Sequence, residues 1–144
     1  MIKTLSFLGY LGMIGGLLGV LSLENFRAPS PIVIFFQALS LLLFLWARVT
    51  FGRRSYHVVA DPTEGGLVTT GPYRYIRHPI YAAIGLFASV AMIGNCSWGT
   101  GLCAGLVWVS ALTRIFCEEA LVTARYPEYV QYAAKTWRMI PYIY

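Results

Sequence analysis

The chain has 144 residues, of which 58% are hydrophobic and only 12% are charged, and its mean hydropathy is +0.63. An ordinary soluble domain carries about twice this share of charge, so the composition excludes one and predicts a single domain built into a membrane. The net charge of +5 does not imply a nucleic-acid partner, because the basic residues lie where the topology of a membrane protein requires them.

Two uncharged runs near the start of the chain predict membrane-spanning helices. Residues 5–23 contain no charge, and at 1.5 Å per residue they reach roughly 28 Å, close to the thickness of a bilayer core. Residues 31–47 form the second run. Lys3 precedes the first run, but no small-residue cleavage site ends it, so a retained span is expected rather than a signal peptide. Residues 1–50 are thus predicted to be a two-helix N-terminal hairpin.

Residues 51–144 are predicted to complete the same domain as its motif-bearing part. Residues 51–77 contain six charged residues together with several Gly and Pro turn signals, and predict a polar connection. Residues 79–113 carry no charge and predict a helical hairpin with a short turn and two short arms. From Arg114 onwards charged and apolar residues alternate, which predicts that the fourth helix leaves the membrane and that an interfacial helix, broken near Pro127, follows. The predicted fold class is all-α and polytopic, with about four transmembrane helices.

The distribution of basic residues predicts the orientation of the chain. With four spans, Arg27 lies on one side of the membrane, and ten basic residues lie on the other: Lys3, Arg48, Arg53, Arg54, Arg74, Arg77, Arg114, Arg125, Lys135 and Arg138. Short cytoplasmic segments are rich in Lys and Arg, and such segments also attract anionic lipid headgroups. Both termini are therefore expected in the cytoplasm, with membrane lipids as partners.

Small residues at four-residue spacing predict close helix contacts. The pairs are Gly12 with Gly16, Gly15 with Gly19, and Gly101 with Gly105. Such spacing lets two helices approach closely, and packing within the chain is favoured over the alternative, a homodimer through these faces. The three cysteines lie in apolar sequence without metal-ligand spacing, so neither a disulfide framework nor a metal site is expected.

One polar stretch at the start of the second hairpin is unusual for membrane sequence. Residues 71–81 read GPYRYIRHPIY, with Arg77, His78 and Tyr81 at the membrane boundary, where such groups are costly unless they are paired or used. A second polar cluster, Arg114 with Glu118 and Glu119, lies at the far end of the hairpin. Since a hairpin returns to the face where it began, the two clusters are predicted to be neighbours.

Structural roles compete with functional ones for each of these residues. Arg114 and Glu118 stand four apart on a helix and can form a simple salt bridge. Arg74 and Arg77 can serve topology alone, and the tyrosines can be ordinary interfacial aromatics. Adjacent residues point about 100° apart on a helix, so Glu118 and Glu119 are not expected to face one ligand in the same way.

The two clusters resemble the signatures of a known family. Residues 68–81, VTTGPYRYIRHPIY, look like the first signature of the isoprenylcysteine carboxyl methyltransferases, whose general form the phospholipid methyltransferases share. Residues 114–121, RIFCEEAL, look like the second, which continues through residues 126–129, YPEY, and Tyr132 to Ile140 and Pro141. The resemblance covers residues 44–141. It departs from the pattern at Ala83, where the family usually has Gly.

The resemblance implies a membrane methyltransferase that uses S-adenosylmethionine. By that analogy Tyr73, His78 and Tyr81 help to enclose the cofactor, and Glu118 and Glu119 bind its polar groups. The lipophilic acceptor is either a carboxylate of an isoprenylcysteine-like compound or a lipid amine. A carboxylate needs only to be held, for which Arg77 or Arg114 is the candidate, whereas an amine needs a base, for which His78 is the candidate.

Two other interpretations remain open. A membrane reductase of the sterol-reductase type has a similar Arg-His-Pro-x-Tyr element and would use NADPH, but the adjacent pair Glu118 and Glu119 favours the methyltransferase. The second is a membrane scaffold that retained the motif without the activity. Binding of S-adenosylmethionine rather than NADPH separates the three.

Overall fold

The computed structural model describes residues 1–23, 30–52 and 66–144. These form five α-helices, α1 (Ile2–Leu23), α2 (Pro31–Phe51), α3 (Pro79–Gly94), α4 (Trp98–Arg125) and α5 (Tyr129–Ala133), and a 3₁₀ turn at Gly71–Arg74. No strand occurs in these three stretches, which confirms the predicted all-α fold. The predicted side assignments of Arg27, Arg53 and Arg54, and most of the polar connection, lie outside the described residues.

The helices match the predicted apolar runs. Within the described stretches, α1, α2 and α4 are long and apolar enough to cross a membrane, and α3, with 16 residues, is shorter. Pro31 and Pro79 occupy the first turns of α2 and α3, where a residue without an N–H loses no helical hydrogen bond. The chain is an integral membrane protein whose first two helices extend slightly beyond their uncharged runs.

The prediction of two short arms is wrong for the second arm of the hairpin. After the turn, Ser97 Oγ caps α4 by accepting a hydrogen bond from the Thr100 N–H at 3.2 Å. The helix has 28 residues and continues through Arg114, where charge reappears, to Arg125. Arg114 and Glu118 are paired with each other inside the bundle, so their charges do not require the helix to leave the apolar layer.

α1 packs along α4 through its glycines. A Cβ atom at Gly16 would lie 2.8 Å from the Cys103 carbonyl oxygen, and one at Gly12 would overlap Ser110. The absence of side chains here lets the two backbones approach, which confirms packing within the chain for these positions. A Cβ atom at Gly15, on the same helix, would contact no other described element within 4 Å.

The remaining glycines leave the dimer alternative untested. Cβ atoms at Gly101 and Gly105 on α4 would also contact no other described element within 4 Å, so a homodimer through that face stays a prediction. α2 packs on α3, where Val33 lies against Gly94. α1 and α2 are consecutive helices, yet each packs on the second hairpin and they form no packed interface with each other.

The end of the chain folds back onto the start of α3. α4 stops at Arg125, a turn at residues 126–128 includes Pro127, and α5 has only five residues. The predicted break near Pro127 is therefore confirmed, but the interfacial helix after it is short. Beyond α5, the Arg77 N–H donates to the Trp137 carbonyl at 2.7 Å and the His78 N–H to the Arg138 carbonyl at 2.9 Å. These bonds attach residues 136–139 to the first polar cluster.

Candidate active site

The two predicted polar clusters meet at one end of the helix bundle. His78 immediately precedes α3, Tyr81 lies in its first turn, and Arg114 and Glu118 lie on α4. Arg114 Nε donates to the Tyr81 hydroxyl at 2.8 Å, and that hydroxyl donates to Glu118 Oε1. The neighbourhood predicted from the uncharged hairpin is therefore present, although its second arm is longer than expected.

Arg114 is a buried cation that joins three helices. Its NH1 donates to the Ser6 carbonyl of α1 at 3.1 Å, and its NH2 donates to Glu118 Oε1 at 3.0 Å. The guanidinium also lies 5.2 Å from the centre of the Tyr10 ring, at cation–π distance. Since a buried charge is stable only when it is paired and hydrogen-bonded, these contacts explain how the bundle tolerates Arg114.

Glu119 is held on both carboxylate oxygens by its own chain. Its Oε1 accepts from Arg77 Nε at 3.0 Å and from the Tyr129 hydroxyl at 3.2 Å, and lies 3.2 Å from His78 Nε2. Its Oε2 accepts from Arg138 Nε at 3.0 Å. The carboxylate thus links α4 to the start of α3, to α5 and to the C-terminal segment.

Arg77 also links α4 to α5 and the C-terminal segment. Besides its bond to Glu119, its NH1 donates to the Ala133 carbonyl at 2.9 Å and to the Thr136 carbonyl. These acceptors are the last turn of α5 and the residues after it. The Arg77 guanidinium therefore attaches the C-terminal segment to the site. The sequence had made this guanidinium a candidate for holding an acceptor carboxylate.

Glu118 is the less occupied of the two carboxylates. Arg114 and Tyr81 bond its Oε1, whereas Oε2 has His78 Nδ1 at 3.9 Å, which is beyond hydrogen-bond length. The side chain is 25% exposed, compared with 14% for Glu119. If His78 Nε2 carries the proton that Glu119 accepts, Nδ1 has a free lone pair, and two acceptors then face each other across this gap.

Aromatic side chains cover the polar end of the site. Tyr73, from the 3₁₀ turn, packs against Phe51 with ring centres 5.3 Å apart, and its carbonyl accepts from the Tyr132 hydroxyl at 2.6 Å. Burial raises the pKa of Tyr132 to about 12, and burial also raises the pKa of Tyr73 and Tyr129 well above the usual tyrosine range. All three phenols are therefore neutral hydrogen-bonding groups at physiological pH.

A cavity of about 780 Å³ connects this polar end to the apolar interior. Arg77, His78, Glu118 and Glu119 line one end, and an arm lined by apolar residues of α1, α2 and α3 continues towards the opposite end of the bundle. Cavities of this size are typical of small-molecule sites. The combination of carboxylates, phenols and an apolar arm suits a ligand that is cationic at one end and lipophilic at the other.

The cavity contains every predicted site residue. It is lined by Tyr73, Arg77, His78, Tyr81, Arg114, Glu118 and Glu119. Ala83, where the sequence departs from the family pattern, is buried and also lines the cavity. Its methyl group occupies space that Gly would leave open.

Sequence reasoning missed several contributors. Tyr129, Tyr132 and Arg138 bond the site through the C-terminal segment, and Gln37 lines the apolar arm from α2. Tyr129 and Tyr132 belong to the stretch that resembles the second signature, which was the available signal for two of them. Nothing in a local pattern shows that Arg138 reaches back to Glu119.

Comparison with known proteins agrees with this geometry. A protein-family model described as phospholipid methyltransferase matches residues 32–129, which is more than half of the chain and includes both polar clusters. The chain belongs to the phospholipid methyltransferase family. No curated protein matches the chain at a significant level. As a family member the protein is a membrane methyltransferase, and the match ends at Tyr129, before the C-terminal segment that Arg77 and Arg138 attach to the site.

Proposed function

We propose that the protein transfers a methyl group from S-adenosylmethionine to a lipophilic acceptor at the cytoplasmic face of a membrane. The observation that carries the proposal is one continuous cavity whose polar end holds the family's two motifs and whose other end is apolar. A water-soluble acceptor would gain nothing from the apolar arm. A lipophilic acceptor can place its reactive group beside the motifs while its apolar part stays in the membrane layer.

The residues at the polar end fit the proposed cofactor. S-adenosylmethionine supplies a methyl group on a sulfonium cation and also carries an amino group and ribose hydroxyls. Carboxylates bind such donors and cations, and the faces of Tyr73, Tyr81 and Phe51 are suitable surfaces for a cation or a planar base. These side chains surround the space between the 3₁₀ turn and α4.

The two glutamates have different proposed roles. Glu118 binds the cofactor, because its side chain lines the cavity and its Oε2 accepts no hydrogen bond from the described residues, with His78 Nδ1 3.9 Å away. Glu119 is a positioning residue, because Arg77, Tyr129 and Arg138 already occupy its oxygens. A ligand would have to displace one of those bonds to reach Glu119.

The geometry favours an amine acceptor over a carboxylate. Arg77 and Arg114 are the cations suited to a carboxylate, and both are bonded to acceptors of their own chain. An amine nitrogen that takes a methyl group gains positive charge and must lose a proton to a base. His78 is placed for that role, since Glu119 orients the ring through Nε2 and leaves Nδ1 towards Glu118.

Calorimetry on detergent-purified protein tests the cofactor assignment. We expect binding of S-adenosylmethionine or its demethylated product, and weaker binding by Glu118→Gln. Glu128→Gln is the matched control, because Glu128 is an exposed carboxylate outside the cavity. Binding of NADPH without S-adenosylmethionine would instead support the reductase, and binding of neither would support the scaffold.

Labelled cofactor and a lipid extract identify the acceptor class. We expect radioactive methyl groups to appear in an amine-bearing lipid and to withstand mild alkaline hydrolysis, as N-methyl groups do. Label released as methanol would show a methyl ester and would overturn the preference for an amine.

The proposed orientation places the site in the cytoplasmic half of the membrane. Ser6 at the start of α1 bonds Arg114, and Arg48 near the end of α2 lines the cavity with Arg77, so these basic residues share one end of the bundle. Positive charge marks the cytoplasmic side. Tags at both ends of the chain should report the cytoplasm, and a tag protected by the opposite compartment would refute this orientation.

A further inference from the structure

The apolar arm of the cavity lies between the two helices that do not pack together. α1 is held by α4 and α2 is held by α3, which leaves a slot between α1 and α2. Leu17 and Leu21 line it from α1, Ile34 and Leu41 line it from α2, and Phe87 lines it from α3. The slot is continuous with the space around Glu118 because all these residues line the same cavity.

The slot opens sideways along the outer surface of the bundle. Four large apolar residues that line the cavity are also exposed: Ile14 by 37%, Leu21 by 38%, Ile34 by 50% and Leu41 by 56%. They lie on the facing sides of α1 and α2. In a membrane-spanning bundle, the medium at such apolar positions is lipid, so a chain can pass from the bilayer into the slot without crossing water.

The length of the slot corresponds to one leaflet. From Tyr10 to Leu21 the rise along α1 is roughly 16 Å, and from Ile34 to Phe44 along α2 it is roughly 15 Å. The hydrocarbon core of a bilayer is about 30 Å thick, so each leaflet contributes about half of that. The rise along α1 and the rise along α2 therefore give the same slot length, which matches a chain that spans one leaflet.

Contacts among the helix ends close the far end of the slot. The Asn95 side chain donates to the Leu23 carbonyl at the end of α1, and Leu23 lies against Gly99. On the other side Val33, near the start of α2, lies against Gly94. These contacts join α1 and α2 to the turn between α3 and α4, so the slot has a floor.

We propose that this slot binds one apolar chain of the methyl acceptor, lying lengthwise between α1 and α2 with its head beside His78 and Glu118. The inference rests on the proposed function and narrows its acceptor to an amphiphile that inserts a single chain of about one-leaflet length. A cavity of about 780 Å³ is in the range of small-molecule sites, and with the cofactor at its polar end the apolar arm has room for one chain. A second chain of the same acceptor stays in the bilayer.

Selection in this slot depends on shape. Moving a chain from lipid into an apolar slot yields little hydrophobic free energy, because lipid tails are as apolar as leucine. Packing against Leu17, Leu41 and Phe87 then decides which chains bind. Filling the slot with a larger side chain should exclude the chain without changing the charge or polarity of the site.

Two neighbouring leucines of α2 provide the test. Leu41 lines the cavity, whereas Leu42 is 64% exposed and does not line it. Leu41→Trp and Leu42→Trp make the same substitution at adjacent lipid-exposed positions. The probes are octadecylamine and octadecanoate carrying a diazirine near the chain end, together with a two-chain phosphatidylethanolamine that carries it on one chain. Each protein is reconstituted in phosphatidylcholine nanodiscs, irradiated, and mapped by mass spectrometry.

We expect crosslinks from one or both single-chain probes to concentrate in residues 13–21 and 34–41. Leu41→Trp should lower this labelling about tenfold, equivalent to about 1.4 kcal/mol, and Leu42→Trp should leave it unchanged. Labelling spread over all outward helix faces, or an equal loss in both variants, would overturn the slot. The single-chain claim would be overturned if the phosphatidylethanolamine probe bound with both of its chains in the slot and thereby blocked labelling of the slot.

Calorimetry with S-adenosylmethionine separates failure of this inference from failure of the proposed function. Both Trp variants should bind the cofactor as the unchanged protein does, which also shows that they fold. Cofactor binding with no slot labelling would refute the slot alone. Slot labelling with no cofactor binding would refute the proposed function and assign the slot to bilayer lipid.

Discussion

The close contact between α1 and α4 can be tested by alanine substitutions at two adjacent glycines of α1. Gly16 faces α4, and a Cβ atom there would lie 2.8 Å from the Cys103 carbonyl oxygen, 2.8 Å from Val107 Cγ2 and 3.1 Å from the Val107 nitrogen. Two of these atoms belong to the backbone of a long helix and cannot rotate away. Gly16→Ala must therefore push α1 and α4 apart.

The expected magnitude follows from the packing. Adding a methyl group to a close-packed interface costs about 1–3 kcal/mol. Gly15→Ala is the matched control, because no described atom lies within 4 Å of its Cβ position. Alanine is favoured over glycine in a helix by about 1 kcal/mol, so Gly15→Ala should be neutral or stabilising. The helix-propensity gain applies to both variants and cancels, so the difference between them is the packing cost of about 1–3 kcal/mol.

Unfolding by sodium dodecyl sulfate in mixed micelles, followed by circular dichroism, measures this difference. Gly16→Ala should unfold at a lower detergent fraction than the unchanged protein, and Gly15→Ala at the same or a higher fraction. Equal shifts in both variants, or a larger loss for Gly15→Ala, would refute the assignment of Gly16 to the α4 contact. A change of oligomeric state in Gly15→Ala alone would support the homodimer alternative at that face.

Further predictions concern the polar end of the bundle. Arg114→Leu leaves Glu118 without its buried cation and should lower the free energy of unfolding by about 3–5 kcal/mol, measured by the same detergent titration. Arg114→Lys should recover only part of this loss, because an ammonium cannot bond Ser6 and Tyr81 in the same fork geometry. Full recovery by Arg114→Lys would contradict this reasoning. Since burial raises the pKa of Tyr132 to about 12, the folded phenol keeps its proton while the unfolded one loses it. Stability should therefore fall between about pH 10 and 12, with a shallower fall in Tyr132→Phe; an unchanged slope in that variant would contradict the cause.

Much of the fold could be predicted from the sequence because its determinants are local. Uncharged runs of membrane length become helices in any apolar medium, since each backbone group must be bonded within its own segment. The hairpin of α3 and α4 then brings His78 and Tyr81 to Arg114 and Glu118, whatever the details of packing. The membrane class, the all-α fold and the meeting of the two polar clusters were determined at this level.

The full length of the second arm of the hairpin could not be predicted, because it depends on partners distant in sequence. Charge usually marks where a helix leaves the membrane, but Arg114 bonds the Ser6 carbonyl, which lies far away in the chain. Once its charge is paired inside the bundle, the helix continues to Arg125. A pattern along one segment contains no information on such a pairing.

The tertiary structure also determined which hydrogen-bond partners each predicted site residue has. The sequence by itself determined that two glutamates stand together, at one end of a membrane bundle, because that follows from their position on the hairpin. Only the folded chain shows that Arg138, from the C-terminal segment, occupies Glu119 and leaves Glu118 towards the cavity. Likewise, the slot beside α2 exists because α1 packs on α4 instead, a choice made by side-chain volume across the interface and not by hydrophobicity along the chain.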